Sequence, residues 1–201
     1  MKSNSLKEGR INQKIKTRAR ILNAAKTLMS NNRNISLEEV AHKAEVSRAT
    51  IYRYFPNIDL LCTEASLDIH YLSPDELYEK AKDMTLENRI YYIQKYYNQL
   101  AQNHELIFRR YLSAVLKEST ESKKKIRGAR RVDAMNLVMD SFKNELSKED
   151  LKNLKNIASI LMGIDSLIVA KDVCGLSNKQ TNDTLKWGVE MILKGIYSTG
   201  K

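Results

Sequence analysis

An all-α fold is what this sequence predicts, and three observations carry the expectation. Gly and Pro are scarce, seven and two in 201 residues, so few points along the chain favour tight turns. Good helix formers (Glu, Lys, Leu, Ala, Met) fill most of it. Apolar residues recur at steps of three and four, and no segment sustains the alternation of a strand or repeats internally.

Taken in order, residues 1–13 are polar and basic with little periodicity and read as a flexible basic arm. A helix begins near Lys14, where Ile15, Ala19, Leu22, Ala25, Leu28 and Met29 form one stripe. Asn31-Asn32-Arg33-Asn34 ends it, since Asn tolerates left-handed backbone. Ser36-Leu37-Glu38-Glu39 is a capping box opening a second, short helix whose buried side is Val40, Ala41 and Ala44. Glu45-Val46 is a tight connection. Ser47 caps a third helix from Arg48 to about Phe55, which Pro56 stops because residues before proline avoid helical angles. A fourth helix spans about 57–71, and Ser73-Pro74-Asp75-Glu76 starts the next with a cap, a first-turn proline and acids at the positive helix end. Further helices fit about 85–102, 103–118, 121–146, 148–174 and 178–198.

Composition narrows the setting. Hydrophobic residues at 42% and charged residues at 29% are an ordinary soluble balance. Cys62 and Cys174 lie far apart, which suits a reducing compartment. The first thirty residues carry no apolar run of a signal peptide, and the apolar runs 160–164 and 167–170 are too short to span a bilayer. The expectation is a cytoplasmic protein without a membrane partner. Net charge is +10 and uneven: residues 1–56 hold 12 Lys/Arg against 4 Asp/Glu, residues 57–201 hold 22 against 20. A local basic field is the footprint of a polyanion-binding module, although a solvated basic face or a membrane-surface helix would give the same count.

The two short helices joined by a brief turn match a helix-turn-helix. Within the third helix, Ile51 and Phe55 are four apart and point inward. Arg48, Ala49, Tyr52 and Arg53 share the outward side. An Arg at a helix start can hydrogen-bond guanine O6 and N7 in the major groove, Ala49 and the Thr50 methyl can pack on a thymine methyl, and Tyr52 and Arg53 can reach phosphates. The two arginines would equally serve as ordinary surface residues.

The segment Val46-Ser47-Arg48-Ala49-Thr50-Ile51-Tyr52-Arg53-Tyr54-Phe55-Pro56-Asn57 resembles the recognition segment of TetR-family regulators. The upstream helix with Ala24-Ala25 and the helix over 36–44 fit the same domain. The resemblance implies a three-helix helix-turn-helix DNA-binding domain over 14–62, followed by a larger helical effector-binding and dimerisation domain over 63–201. It implies a phosphate contact from Tyr52, base-facing Arg48, Ala49 and Thr50, and a phosphate contact around Thr17; Ser36, Ser47 and Arg53 complete the DNA-binding set. Two positions depart from the family. Glu45 stands where a Gly usually precedes the valine and needs backbone strain or a shifted turn angle. Ile58 stands where a phosphate-approaching Lys is usual.

The C-terminal half offers two stripes, one through Leu151, Leu154, Ile157, Ala158, Leu161, Ile164 and Ile168, the other through Leu185, Gly188, Val189, Ile192 and Ile196. The resemblance implies that the last two long helices pair with their copies in a homodimer, with Leu154, Ala158, Leu161, Gly188 and Ile192 at the interface; intrachain core is the other reading. Tyr92, Tyr96, Phe108, Tyr111, Met135 and Met139 suit an adaptable apolar pocket for a small-molecule effector, or plain core. The basic run Lys123-Lys124-Lys125-Ile126-Arg127 with Arg130-Arg131 reads as a solvated face. His42, His70 and His104 have no metal-ligand spacing, the glycines form no phosphate loop, and no GxSxG occurs, so no enzyme, catalytic residue, metal or cofactor is expected. The expected function is a dimeric repressor that binds a palindromic double-stranded operator and is released by a small molecule. The alternative is a DNA-bound protein of the same fold that recruits a protein partner.

Overall fold

The computed structural model describes the backbone of residues 2–31, 35–68, 70–121, 127 and 129–199, and the side chains of 13–30, 35–68, 70–120, 127 and 129–198. Among these there are eleven α-helices and no strand, in keeping with the all-α expectation. They are α1 (Lys2–Asn31), α2 (Leu37–Lys43), α3 (Arg48–Tyr54), α4 (Ile58–Asp68), α5 (Pro74–Ala81), α6 (Leu86–Asn103), α7 (Glu105–Glu121), α8 (Arg130–Asp140), α9 (Lys148–Ile160), α10 (Ile164–Ile168) and α11 (Asn178–Thr199). A π-helical turn, Val169–Val173, follows α10. No helix among the described residues is long and apolar enough to cross a membrane. Residues 32–34 of the Asn-rich breaker and 123–126 of the second basic run lie outside the described residues.

The chain packs as two compact units, Met1–His70 with Arg109–Arg127, and Tyr71–Phe108 with Gly128–Lys201. The first unit buries Ile21, Leu22, Ala24 and Ala25 of α1 with Val40, Ile51, Phe55, Leu60 and Leu61. Two ion pairs strap α1 to α4. Arg18 meets Glu64 through both carboxylate oxygens, at 2.8 and 2.5 Å, and Lys26 meets Asp68 at 2.8 Å. Burial works against the Arg18 charge, but the Glu64 carboxylate and its hydrogen bond hold the guanidinium pKa above its ordinary value. The Arg18 guanidinium also lies 4.6 Å from the centre of the Phe55 ring, and the Tyr111 hydroxyl donates to Glu64 at 3.4 Å.

α1 starts at Lys2, well before the apolar stripe, so the backbone of the stretch expected as an arm is helical. Periodicity reports a buried face rather than helicity, and a proline-free polar stretch can be helical without one. Ile15 and Ala19 are correspondingly exposed, and the buried stripe of α1 runs only from Ile21 onward.

The second unit is built on Ile90, Ile93 and Tyr97 of α6, packed with Leu77 of α5, Met135, Val138 and Met139 of α8, Leu154 and Ala158 of α9, and Val189 and Leu193 of α11. Buried Arg89 ties loop ends together. It donates to the carbonyls of Met84 at 3.0 Å and Val138 at 3.1 Å, to Ser141 Oγ at 2.8 Å, and to the Lys82 carbonyl.

The single helix expected over 148–174 is broken between Ile160 and Ile164. Gly163 there takes φ +79°, a conformation that strongly favours glycine. Side chains from α6 satisfy freed backbone groups: the Gly163 N–H donates to Asn98 Oδ1 at 2.8 Å, and Gln94 Nε2 donates to the Leu161 carbonyl at 2.8 Å and also to the Leu185 carbonyl of α11 at 3.0 Å. Arg131 closes the break, pairing with Asp165 at 2.7 Å and donating to the Met162 carbonyl. A Cβ on residue 163 would sit 3.1 Å from Arg131 Nη1. Among the described residues of the helix expected over 121–146, Glu121 ends α7, 130–140 form α8 and 141–145 are turns.

Candidate nucleic-acid interface

Local chemistry places α2 and α3. Ser36 Oγ accepts from the Glu39 N–H at 3.2 Å, and Glu39 Oε2 accepts from the Ser36 N–H at 2.8 Å, the reciprocal capping box. The two bonds from Ser36, the hydroxyl's first and the backbone N–H's second, hold the Glu39 carboxyl pKa below the usual range. A depressed carboxylate contributes stability above its unfolded pKa and loses it as pH falls through the folded one, so this cap weakens only in acid.

The turn between α2 and α3 is a Schellman motif. The Glu45 N–H donates to the His42 carbonyl at 3.1 Å and the Val46 N–H to the Ala41 carbonyl at 3.0 Å. Such a turn needs a left-handed residue after the cap, and Glu45 supplies it at φ +51°. A side chain there costs about 1–2 kcal/mol relative to right-handed backbone. Arg20 of α1 offsets the strain by donating to both turn carbonyls, Ala44 at 2.5 Å and Glu45 at 3.0 Å. The strain expected from Glu in a glycine position is present, and a cross-helix clamp holds it.

α3 begins at Ser47, whose Oγ accepts from the Thr50 N–H at 3.1 Å and lies 2.9 Å from Thr50 Oγ1. Phe55 ends the helix in extended conformation before Pro56. The helix divides as its sequence spacing implies: Ile51 and Phe55 are fully buried, while Arg48, Ala49, Tyr52 and Arg53 are exposed and Thr50 half-buried. Asn57 Oδ1 caps α4 by accepting from the Leu60 N–H at 2.9 Å.

The outward face borders an open cleft of about 460 Å³ between the N-terminal half of α1 and α3. It is lined by Gln13, Lys14, Thr17, Glu45, Val46, Ser47, Thr50, Arg53 and Tyr54. Four of the expected DNA-binding residues, Thr17, Ser47, Thr50 and Arg53, therefore meet in one place. Thr17 Oγ1 donates to the Gln13 carbonyl at 2.8 Å. Ser36 is engaged in the α2 cap. Arg48 and Tyr52 converge on Glu38 of α2: the Tyr52 hydroxyl donates to Glu38 Oε1 at 3.0 Å, and Arg48 Nε lies 3.4 Å from the same oxygen. Sequence reading missed Lys14 and Arg20, which a basic α1 hinted at, and Glu38, which read as an ordinary first-turn acid.

The other expected residues fall elsewhere. Met135 and Met139 are packed into the second unit's core, Phe108 is buried against Tyr71 with ring centres 6.1 Å apart, and Tyr111 belongs to the first unit. Tyr92 and Tyr96 are half-buried; the Tyr96 hydroxyl accepts from the Leu72 N–H at 2.6 Å. Leu154 and Ala158 lie inside the chain's own core. Leu161, Gly188 and Ile192 are half-buried, with Leu161 Cδ1 packed where a Cβ on Gly188 would reach it at 3.7 Å. More exposed apolar side chains stand nearby in sequence: Ile160 of α9 and Trp187 and Met191 of α11.

Residues 21–65 match the family model described as bacterial regulatory proteins, tetR family. No curated protein and no solved structure matches the chain at a significant level. The matched stretch takes in the C-terminal third of α1, all of α2 and α3 and most of α4, and so includes the capped turn and the outward face of α3. The helix-turn-helix near the N-terminus is therefore similar to that of tetR-family regulators, and the chain is a DNA-binding transcription regulator.

Proposed function

We propose that the chain is a repressor that binds a palindromic duplex operator as a homodimer and is released from it by a small-molecule effector. The observation that carries this reading is the division of α3, with Ile51 and Phe55 fully buried and Arg48, Ala49, Tyr52 and Arg53 presented outward beside a cleft containing Lys14 and Thr17. A capped helix presenting Arg near its N-terminus can enter the major groove and read guanine, while hydroxyls and further cations around it take phosphates. One seven-residue helix spans too few base pairs to define a useful site. A two-fold pair doubles the readout and demands half-sites about one helical turn, roughly 34–36 Å, apart or a multiple of it. The exposed Ile160, Trp187 and Met191 are the apolar surface for that pairing.

For the effector, the supporting feature is an aromatic group in the second unit: Tyr71, Tyr96, Tyr97 and Phe108, with ring centres 5.1 to 6.2 Å apart and the Arg130 guanidinium 4.3 Å from the Tyr71 ring centre. Half-buried Tyr71, Tyr92 and Tyr96 could present ring faces and hydroxyls to an apolar ligand.

The test is a footprint of the full chain on a duplex it selects from a random pool, repeated with candidate apolar and cationic ligands. Two-fold symmetric protection that a saturating ligand abolishes is expected. By linkage, the selected duplex must weaken that ligand's binding by the same factor. Protection that no ligand alters, together with a protein that binds only the DNA-bound form, would replace effector release with recruitment.

A further inference from the structure

We infer that Glu38 is the positioning residue of the DNA-reading face, a single carboxylate that aims Arg48, holds the Tyr52 hydroxyl until a phosphate takes its place, and trades non-specific affinity for base discrimination. The inference rests on the reading that the outward side of α3 meets DNA. It adds an acidic residue, where attraction to a polyanion alone would call for basic ones.

The geometry singles out one oxygen. Glu38 Oε1 accepts from the Tyr52 hydroxyl at 3.0 Å and lies 3.4 Å from Arg48 Nε. The Arg48 guanidinium is itself 5.7 Å from the centre of the Tyr52 ring, so the three side chains form one group. The neighbouring acid, Glu39, is committed to the Ser36 cap, which leaves Glu38 as the carboxylate facing α3 from the first turn of α2.

Two consequences follow from this placement. First, Glu38 lies against Nε of Arg48, so the Nη pair is not what it holds, and that pair can reach guanine O6 and N7 together. An arginine already held in place loses less side-chain freedom on binding, and that gain is collected only where a guanine is present. Second, a carboxylate on a face that approaches phosphates repels every duplex, whatever its sequence. The first effect widens the gap between operator and non-operator DNA and the second weakens both alike, while the exposed ion pair contributes little to the stability of the fold.

The experiment uses the full chain and two duplexes, one selected from a random pool by the wild type and one scrambled. Affinities are measured by fluorescence anisotropy across a salt series for the wild type, Glu38→Gln, Glu38→Ala, Arg48→Ala and Tyr52→Phe. Glu38 is exposed and outside the cap, so both of its variants should keep the wild-type circular dichroism. Glu38→Gln should bind the scrambled duplex about three- to tenfold more tightly at low salt, through the lost repulsion of phosphates. Its selected-over-scrambled ratio should fall by about tenfold. Replacing the guanines of the selected duplex one at a time by 7-deazaguanine should expose one position per half-site whose cost is large for wild type and small for Glu38→Gln. A ratio and a guanine dependence that Glu38→Gln leaves at wild-type values, while Arg48→Ala and Tyr52→Phe impair binding, would overturn the role of Glu38 alone. Arg48→Ala and Tyr52→Phe leaving both duplexes unaffected would remove α3 from the interface and this inference with it.

Discussion

Glu64→Gln should destabilise the N-terminal unit by about 2–4 kcal/mol, more than any single change on its surface. Removing one member of a buried ion pair typically costs about 3–5 kcal/mol because the other charge is left unpaired. The side chains of Arg18 and Glu64 are 21% and 8% exposed, so part of that cost is relieved by water reaching the guanidinium. Glu64 also accepts from Tyr111, and the amide that replaces it cannot serve both donors as well. The sign of a double substitution separates this account from simple packing loss. Arg18→Met with Glu64→Leu removes both charges together and should cost less than Glu64→Gln alone. Urea unfolding of the full chain checks both, and a Glu64→Gln midpoint equal to wild type would contradict the assignment of this pair as the strap between α1 and α4.

Trp187→Asp should dissociate the proposed homodimer while leaving the monomer folded. The side chain is 60% exposed in the single chain, so its loss removes little from the core. Met191 stands one turn further on, on the same side of α11. A tryptophan anchoring an interface is commonly worth 2 kcal/mol or more, and two-fold symmetry counts it twice, so dimer affinity should fall by about a thousandfold. Operator affinity should fall with it, since the second reading helix is then no longer delivered by the first. Aspartate at Leu161 or Ile192 is a less clean test, because both side chains also pack against the chain's own core. Sedimentation showing Trp187→Asp still dimeric at micromolar concentration would move the interface away from this part of α11.

What could be read from the sequence was what is locally encoded. The Ser36 and Ser47 caps, the stop at Pro56 and the division of α3 all depend on residues within one turn of each other, and the structure places them as the spacing implies. The match over residues 21–65 falls on the same stretch. What escaped depends on partners far along the chain. The break at Gly163 is held by Asn98 and Gln94, more than sixty positions earlier, so the apolar stripe ran on through it. Periodicity shows that Leu154 and Ala158 are covered and not by what; here the cover is their own chain. Glu38 looked like a routine acid at a helix N-terminus until Tyr52, fourteen residues on, was found against it. The strain at Glu45 could be foreseen from the missing glycine, but its Arg20 clamp could not.

The central claim is that the outward face of α3 reads DNA, and the affinities of Arg48→Ala and Tyr52→Phe for a selected and a scrambled duplex test it most directly. Arg48→Ala should lose about 1–3 kcal/mol on the selected duplex and relax the base preference at one position per half-site, with a much smaller loss on the scrambled one. Tyr52→Phe should weaken both duplexes by a similar factor, because a phosphate contact carries no base identity. Both variants binding both duplexes with wild-type affinity and wild-type preference would contradict the account.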